Sequence, residues 1–165
     1  MNAEQLAPSL TSLYNSCITQ GKWPIEWKKG EWAPVHKKAD KDVHENYRPI
    51  TVLNAVDKVF EKALSEQDTH SFGNKLSPCL TAYKKQNSTE TSLLRLIEDW
   101  KFTLDNKQIT AILSTDMSKA FDSMVPSLLL KMLESYGLAE DSLRLITSYF
   151  EQRQNRVQLG NIRSE

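Results

Sequence analysis

Two β-prone pieces, Trp32-Ala33-Pro34-Val35-His36 and Tyr47-Arg48-Pro49-Ile50-Thr51-Val52, flank the polar run Lys37-Lys38-Ala39-Asp40-Lys41-Asp42. Short apolar or aromatic runs on either side of a charged turn predict a strand–loop–strand element. Helical periodicity lies on both sides of it. Upstream, Leu6, Leu10, Leu13, Tyr14, Cys17 and Ile18 recur at helical spacing and Gly21 follows as a stop. Downstream, Leu53, Val56, Val59, Phe60, Ala63 and Leu64 predict a second helix to about residue 67, with Asn54 able to cap it and Asp57 three residues on at the capping-box position.

Further along, Phe72–Gln86 carries Gly73, Asn74, Ser77 and Pro78 and reads as an irregular connection. Asn87, with Glu90 as its capping-box partner, predicts the start of a third helix whose apolar face holds Leu93, Leu94, Ile97, Trp100 and Leu104. The apolar, β-branched run Ile109-Thr110-Ala111-Ile112-Leu113-Ser114-Thr115 predicts the strongest strand of the chain. Pro126 opens a helix that Gly137 ends, Leu143–Phe150 forms another with Asp141 or Ser142 as cap, and Gln154–Leu159 reads as a last strand. This order predicts an α+β fold with helices packed on a small, mostly antiparallel sheet.

With 165 residues the chain is one domain or part of a larger one. Its 39% hydrophobic and 25% charged residues exclude disordered and low-complexity classes. Lys+Arg 21 balances Asp+Glu 21, so a polyanion site must come from local clustering rather than overall charge. Cys17 and Cys79 fit neither a disulfide framework nor a zinc box and are expected as reduced thiols. No basic leader with an apolar run and no 18-residue apolar stretch occurs, so an intracellular protein without a membrane span is expected.

The sharpest chemical signal is Asp116, which follows the predicted strand directly. A strand end delivers a carboxylate rigidly, as a divalent cation requires, and an aspartate there also serves as an ordinary turn or helix cap. A second cluster is basic. Between residues 28 and 48, Lys28, Lys29, Lys37, Lys38, Lys41 and Arg48 face Glu31, Asp40, Asp42 and Glu45. The excess is two charges, compatible with a solvated hairpin or with a phosphate grip in which Arg48 bonds bidentately and a lysine acts as a point charge. His36, His44 and His70 have no second ligand at metal spacing and are expected at the surface. Trp23, Trp27 and Trp32 are expected to pack a core rather than stack on bases. Lys84, Lys85 and Arg95 stand open between template phosphates and a solvated face.

Trp27-Lys28-Lys29, Ala33-Pro34-Val35-His36-Lys37-Lys38 and Asn46-Tyr47-Arg48-Pro49-Ile50-Thr51-Val52-Leu53-Asn54 resemble the fingers region of the reverse-transcriptase domain of non-LTR (LINE-type) retrotransposons. Phe60-Glu61-Lys62, Ser88-Thr89-Glu90 and Ser114-Thr115-Asp116-Met117-Ser118-Lys119-Ala120-Phe121-Asp122-Ser123 continue the resemblance in the family's order. It implies an incomplete right-hand polymerase fold, with fingers over about residues 1–108 and the start of the palm over about 109–165. It also implies roles. Asp116 resembles the catalytic aspartate that binds two Mg2+ ions, with the backbone carbonyl of Met117 as a further ligand. Arg48 and Lys37 resemble the residues that contact the incoming triphosphate, with Lys38 as the alternative lysine, and Phe121 resembles the aromatic that senses the sugar 2′ position.

RNA template, DNA primer and deoxynucleoside triphosphates are the implied partners of the complete enzyme. The family's glycine-containing motif and aromatic-x-Asp-Asp hairpin are expected beyond the residues given. Leu138-Ala139-Glu140-Asp141 is only superficially similar to that hairpin and is assigned to helix capping. Asp122 is taken as structural, a cap for the turn toward Pro126. A two-metal site needs carboxylates from more than one element, so these 165 residues are expected not to polymerise alone. The competing reading is a non-catalytic nucleic-acid-binding or scaffold module, and a different two-metal nuclease is a third. An unpaired Gln154–Leu159 strand would offer an edge for self-association.

Overall fold

The computed structural model describes residues 3–73, 75–117, 120–121, 123–160 and 162–164. Among the described residues five α-helices, α1 (Ala3–Gln20), α2 (Ala55–Phe72), α3 (Thr89–Asp105), α4 (Pro126–Ser135) and α5 (Glu140–Phe150), accompany four strands. The strands are β1 (Lys29–His36), β2 (Tyr47–Val52), β3 (Gln154–Leu159) and β4 (Ile162–Arg163), in the order β2-β1-β3-β4. The α+β class holds. The sheet is mixed, because β1 runs antiparallel to β2 but parallel to β3, and β3 runs antiparallel to β4.

The chain forms two compact units, Met1–His70 with Val125–Glu165, and Ser71–Met124. The sheet and its core belong to the first. Phe60 is the hub of that core: its ring lies 4.8 Å from those of Tyr14 and Trp23 and 5.9 Å from that of Trp27. Cys17 and Leu145 complete the buried cluster. Trp23 and Trp27 thus pack as expected, while Trp32 is half-buried.

Local chemistry explains the helix ends. Gly21 terminates α1 with φ 61°, a left-handed conformation costly for residues bearing a Cβ. Asn54 caps α2 by accepting the Val56 N–H at 2.9 Å. The cap of α3 lies one residue later than expected. Ser88 accepts the Thr91 N–H, and the Thr91 hydroxyl answers the Ser88 N–H, so threonine takes the place predicted for Glu90. Pro126 is the first residue of α4. Ala139, without a side-chain cap, precedes α5, and Asp141 in the first turn pairs with Arg144.

Two strand expectations are corrected. Ile109–Thr115 forms no ladder among the described residues, and Ile109 and Leu113 are 95% and 90% exposed. A strand is defined by its neighbours, and the four described strands pair with one another. β3, by contrast, has the expected bounds but is not an unpaired strand: Gln154–Val157 pair with Lys29–Trp32, and Gln158 and Leu159 pair with β4. The proposed route to self-association therefore falls. The outer strand β2 carries Pro49, which lacks the N–H that strand addition uses.

Candidate functional site

The hairpin register decides where the basic residues stand. Arg48 faces Val35, Tyr47 faces His36, and the Lys37 N–H donates to the Asn46 carbonyl at 2.8 Å, extending the ladder by one pair. Alternate positions share a face, so Lys37, Val35 and Arg48 lie on one side of the hairpin and His36 with Tyr47 on the other. Lys37 and Arg48 are diagonal neighbours on that face, about 7–8 Å apart at the backbone. Lys38 sits beyond the ladder, in a bend. All three side chains are exposed.

Two further members of the basic cluster are otherwise engaged. Lys28 is buried and donates to the Ser148 hydroxyl at 3.3 Å, and Lys29 pairs with Glu26 at 2.9 Å. The loop end is built by short-range bonds: the Tyr47 hydroxyl donates to the Lys41 carbonyl at 2.9 Å, and the Asn46 amide to the Asp40 carbonyl at 2.7 Å. His36 bonds the Ala39 carbonyl, and exposed His44 pairs with Glu45.

At the opposite end of the sheet, Glu31 joins three strands by binding Arg156 on β3 and, at 3.5 Å, Arg163 on β4. The Arg156 hydrogen bond holds the Glu31 carboxyl below the ordinary range. A cleft of about 850 Å³ opens here, lined by Lys29, Gly30, Asn54, Gln154, Asn155 and Ser164 among others. None of the sequence-predicted site residues lines it.

Asp116, Met117 and Phe121 belong to the second unit. Asp116 is exposed at the end of the unladdered 109–115 segment, and Met117 and Phe121 are 69% and 78% exposed. Asp122, with Ser118 and Lys119 of the quoted motif, lies outside the described residues. No group of three or more His, Cys, Asp and Glu residues suited to a metal occurs among the described residues. In the same unit, exposed Arg95 donates to the Pro78 carbonyl at 3.3 Å. No helix among the described residues is long and apolar enough to cross a membrane.

A polar cluster around buried Asp57 is not directly legible in the sequence; Glu61 and Arg153 beside it are 30% and 17% exposed. Asp57 is 0% exposed and accepts the Trp23 indole N–H at 2.9 Å. Glu61, one turn on, lies 3.8 Å from the Arg153 guanidinium, which stacks 4.1 Å from the centre of the Tyr149 ring. Burial and the neighbouring Glu61 raise the Asp57 carboxyl above its usual range, and burial pushes the Tyr149 hydroxyl up to about 12. Spacing of four residues between Asp57 and Glu61 on a helix flanked by apolar positions was the available signal.

Residues 35–164 match the reverse transcriptase (RNA-dependent DNA polymerase) family, well over half of the chain. The chain is 27% identical over 167 aligned positions to the "RNA-directed DNA polymerase from mobile element jockey" of Drosophila melanogaster, covering 98% of this chain and 18% of that protein. It is 26% identical over 160 to that species' "Probable RNA-directed DNA polymerase from transposon X-element", covering 90% and 16%. It is 22% identical over 143 to the "Retrovirus-related Pol polyprotein from type-1 retrotransposable element R2" of Popillia japonica, covering 87% and 20%. The chain thus spans a fifth or less of the length of these relatives.

Proposed function

The chain belongs to the reverse transcriptase family, and on that premise we propose that it contributes the fingers and the start of the palm to an RNA-directed DNA polymerase of a non-LTR retrotransposon. The partners of that enzyme are an RNA template, a DNA primer and deoxynucleoside triphosphates. The observation that carries the reading is the register that brings Lys37 and Arg48 to one face of an exposed hairpin. A planar guanidinium and a mobile ammonium on one face suit a triphosphate, the first through paired hydrogen bonds and the second as a point charge. The same register favours Lys37 over Lys38 for the lysine role.

In this reading Asp116 is the catalytic carboxylate, and Phe121 limits space beside the sugar 2′ carbon. The donor set fits magnesium in part: the Asp116 carboxylate and the Met117 carbonyl are hard oxygens on adjacent residues, and Mg2+ commonly takes one or two carboxylates with phosphates and water. When bound, the metal neutralises charge that develops on the phosphoryl oxygens. Within the first unit Lys37 and Arg48 orient the triphosphate, and within the second the Asp116 carboxylate and the Met117 carbonyl would hold the metal. One carboxylate is too few for two ions, so these 165 residues alone are proposed to bind nucleotide without extending a primer.

Titration of the chain with a fluorescent deoxynucleoside triphosphate and Mg2+ tests the reading. Saturable binding weakened by Arg48→Ala and Lys37→Ala is expected. Primer–template binding with no measurable nucleotide affinity would instead support the scaffold alternative.

A further inference from the structure

Asp57 is fully buried among apolar neighbours, and the partly exposed Glu61 and Arg153 side chains stand beside it. Asp57 Oδ2, Glu61 Oε1 and Arg153 Nη1 are all buried without a hydrogen-bond partner among the described residues. Such atoms cost desolvation energy, which for Glu61 Oε1 the Arg153 ion pair offsets in part. Phe60, Trp23 and Tyr149 already surround the cluster with apolar surface. Replacement of buried ion pairs by packed apolar side chains is commonly neutral or stabilising. Stability is therefore a poor account of this arrangement.

The position of the cluster supplies another. Asp57 lies in the first turn of α2, which begins three residues after β2 ends. Arg153 immediately precedes β3, and Trp23, whose indole Asp57 holds, stands on the segment leading into β1. The segments leading into β1 and β3 and the helix that follows β2 meet at one polar point. Lys37 and Arg48 lie toward the other end of β1–β2. Eight residues at about 3.3 Å each make β1 about 26 Å long, so a tilt of about 5° at its base moves the far end by about 2 Å.

We propose that Asp57, Glu61 and Arg153 are positioning residues, a directional polar anchor that fixes the angle of the β1–β2 hairpin and so the placement of Lys37 and Arg48. Apolar contacts fill space without selecting one orientation, whereas the Trp23 bond, the Glu61 pair and the Arg153 stacking are directional. The nucleotide part of this inference rests on the function proposed above, and the hairpin part does not.

The test is the triple variant Asp57→Leu, Glu61→Leu, Arg153→Met in the 165-residue chain. Thermal midpoint, backbone amide exchange and nucleotide affinity are read together. The expected result is a midpoint lowered by no more than about 10 °C, as the Trp23 indole N–H left without its acceptor requires, with exchange at least about fivefold faster at the Lys37 amide and its ladder neighbours than elsewhere and nucleotide affinity weakened about fivefold. Arg48→Ala is expected to weaken affinity with exchange unchanged, which separates lost contact from lost placement. If the unsubstituted chain binds no nucleotide, the functional reading fails and exchange alone decides the anchor. Unchanged local exchange, or acceleration spread evenly with a falling midpoint, overturns the proposal. Should the triple variant not fold, Arg153→Lys is judged by the same local exchange criterion.

Discussion

Trp23 donates its indole N–H to Asp57 at 2.9 Å, across 34 residues of sequence and with both side chains buried. Trp23→Phe removes the donor and leaves a second carboxylate oxygen unpaired in the core. A loss of about 1–3 kcal/mol is expected from the unpaired group, with lost ring packing in addition. Asp57→Asn keeps an acceptor for the indole and should cost less. Urea unfolding of the two variants checks the order.

Asp57 also sets a pH slope. Its carboxyl is raised in the fold, so between the ordinary value of 3.8 and the folded value the native state holds the extra proton. That contribution is fully present below 3.8 and is lost as pH rises through the folded value. The stability of the parent chain relative to Asp57→Asn should therefore fall as pH rises from about 3.8 into the mildly acidic range. A difference that stays flat, or one that grows with pH, refutes a raised Asp57. Chemical denaturation at closely spaced pH values gives the curve.

How much was legible in sequence follows from the range of the forces involved. The cap at Asn54, the stop at Gly21, Pro126 as first helical residue and the bounds of β3 are local chemistry, and the residues state them directly. Ile109–Thr115 has the composition of a buried strand, but a ladder also needs a partner, which composition does not encode. β3 looked open for the same reason, since its parallel neighbour lies more than a hundred residues upstream. Asp57, three residues after the Asn54 cap, reads as a capping-box partner, and only the packing of Trp23 turns it inward. The basic cluster was half legible: charge count named six residues, and burial withdrew Lys28 while ion pairing engaged Lys29.

Gly30 stands where β1 meets side chains of both β3 and β2. A Cβ there would lie 2.3 Å from the Asn155 side-chain oxygen and 2.7 Å from the Thr51 methyl. Both are side-chain atoms, so neighbours shift rather than the backbone. Gly30→Ala should cost about 1–3 kcal/mol. Adding Asn155→Ala should recover part of that loss, giving a non-additive double-mutant cycle. Additive losses would place the strain on the Thr51 side alone.

The register makes a ranked prediction for the hairpin cations. Arg48→Ala removes charge-assisted hydrogen bonds of about 1.5–3 kcal/mol and should weaken nucleotide binding about tenfold to a hundredfold. Lys37→Ala should cost less than Arg48→Ala, and Lys38→Ala least, because Lys38 stands past the last ladder pair. Equal losses in Lys37→Ala and Lys38→Ala would point to diffuse electrostatics, and raising the salt from about 0.05 to 0.5 M would then abolish all three differences together.

Asp116 separates folding from chemistry most cleanly. It is exposed and borders a segment with no ladder among the described residues, so Asp116→Ala should change stability by no more than about 0.5 kcal/mol. In the polymerase that carries this segment, the same change removes a hard anionic ligand from the proposed metal site, and primer extension should fall by a factor on the order of 10² or more. Asp116→Asn keeps the shape but gives up the charge, and should fall nearly as far. Primer–template affinity, measured without nucleotide, should stay within about twofold, because the carboxylate repels rather than attracts the phosphate backbone. A large extension defect with intact template binding and folding assigns Asp116 to the reacting phosphate. Extension at the parent rate by Asp116→Ala returns it to an ordinary turn residue.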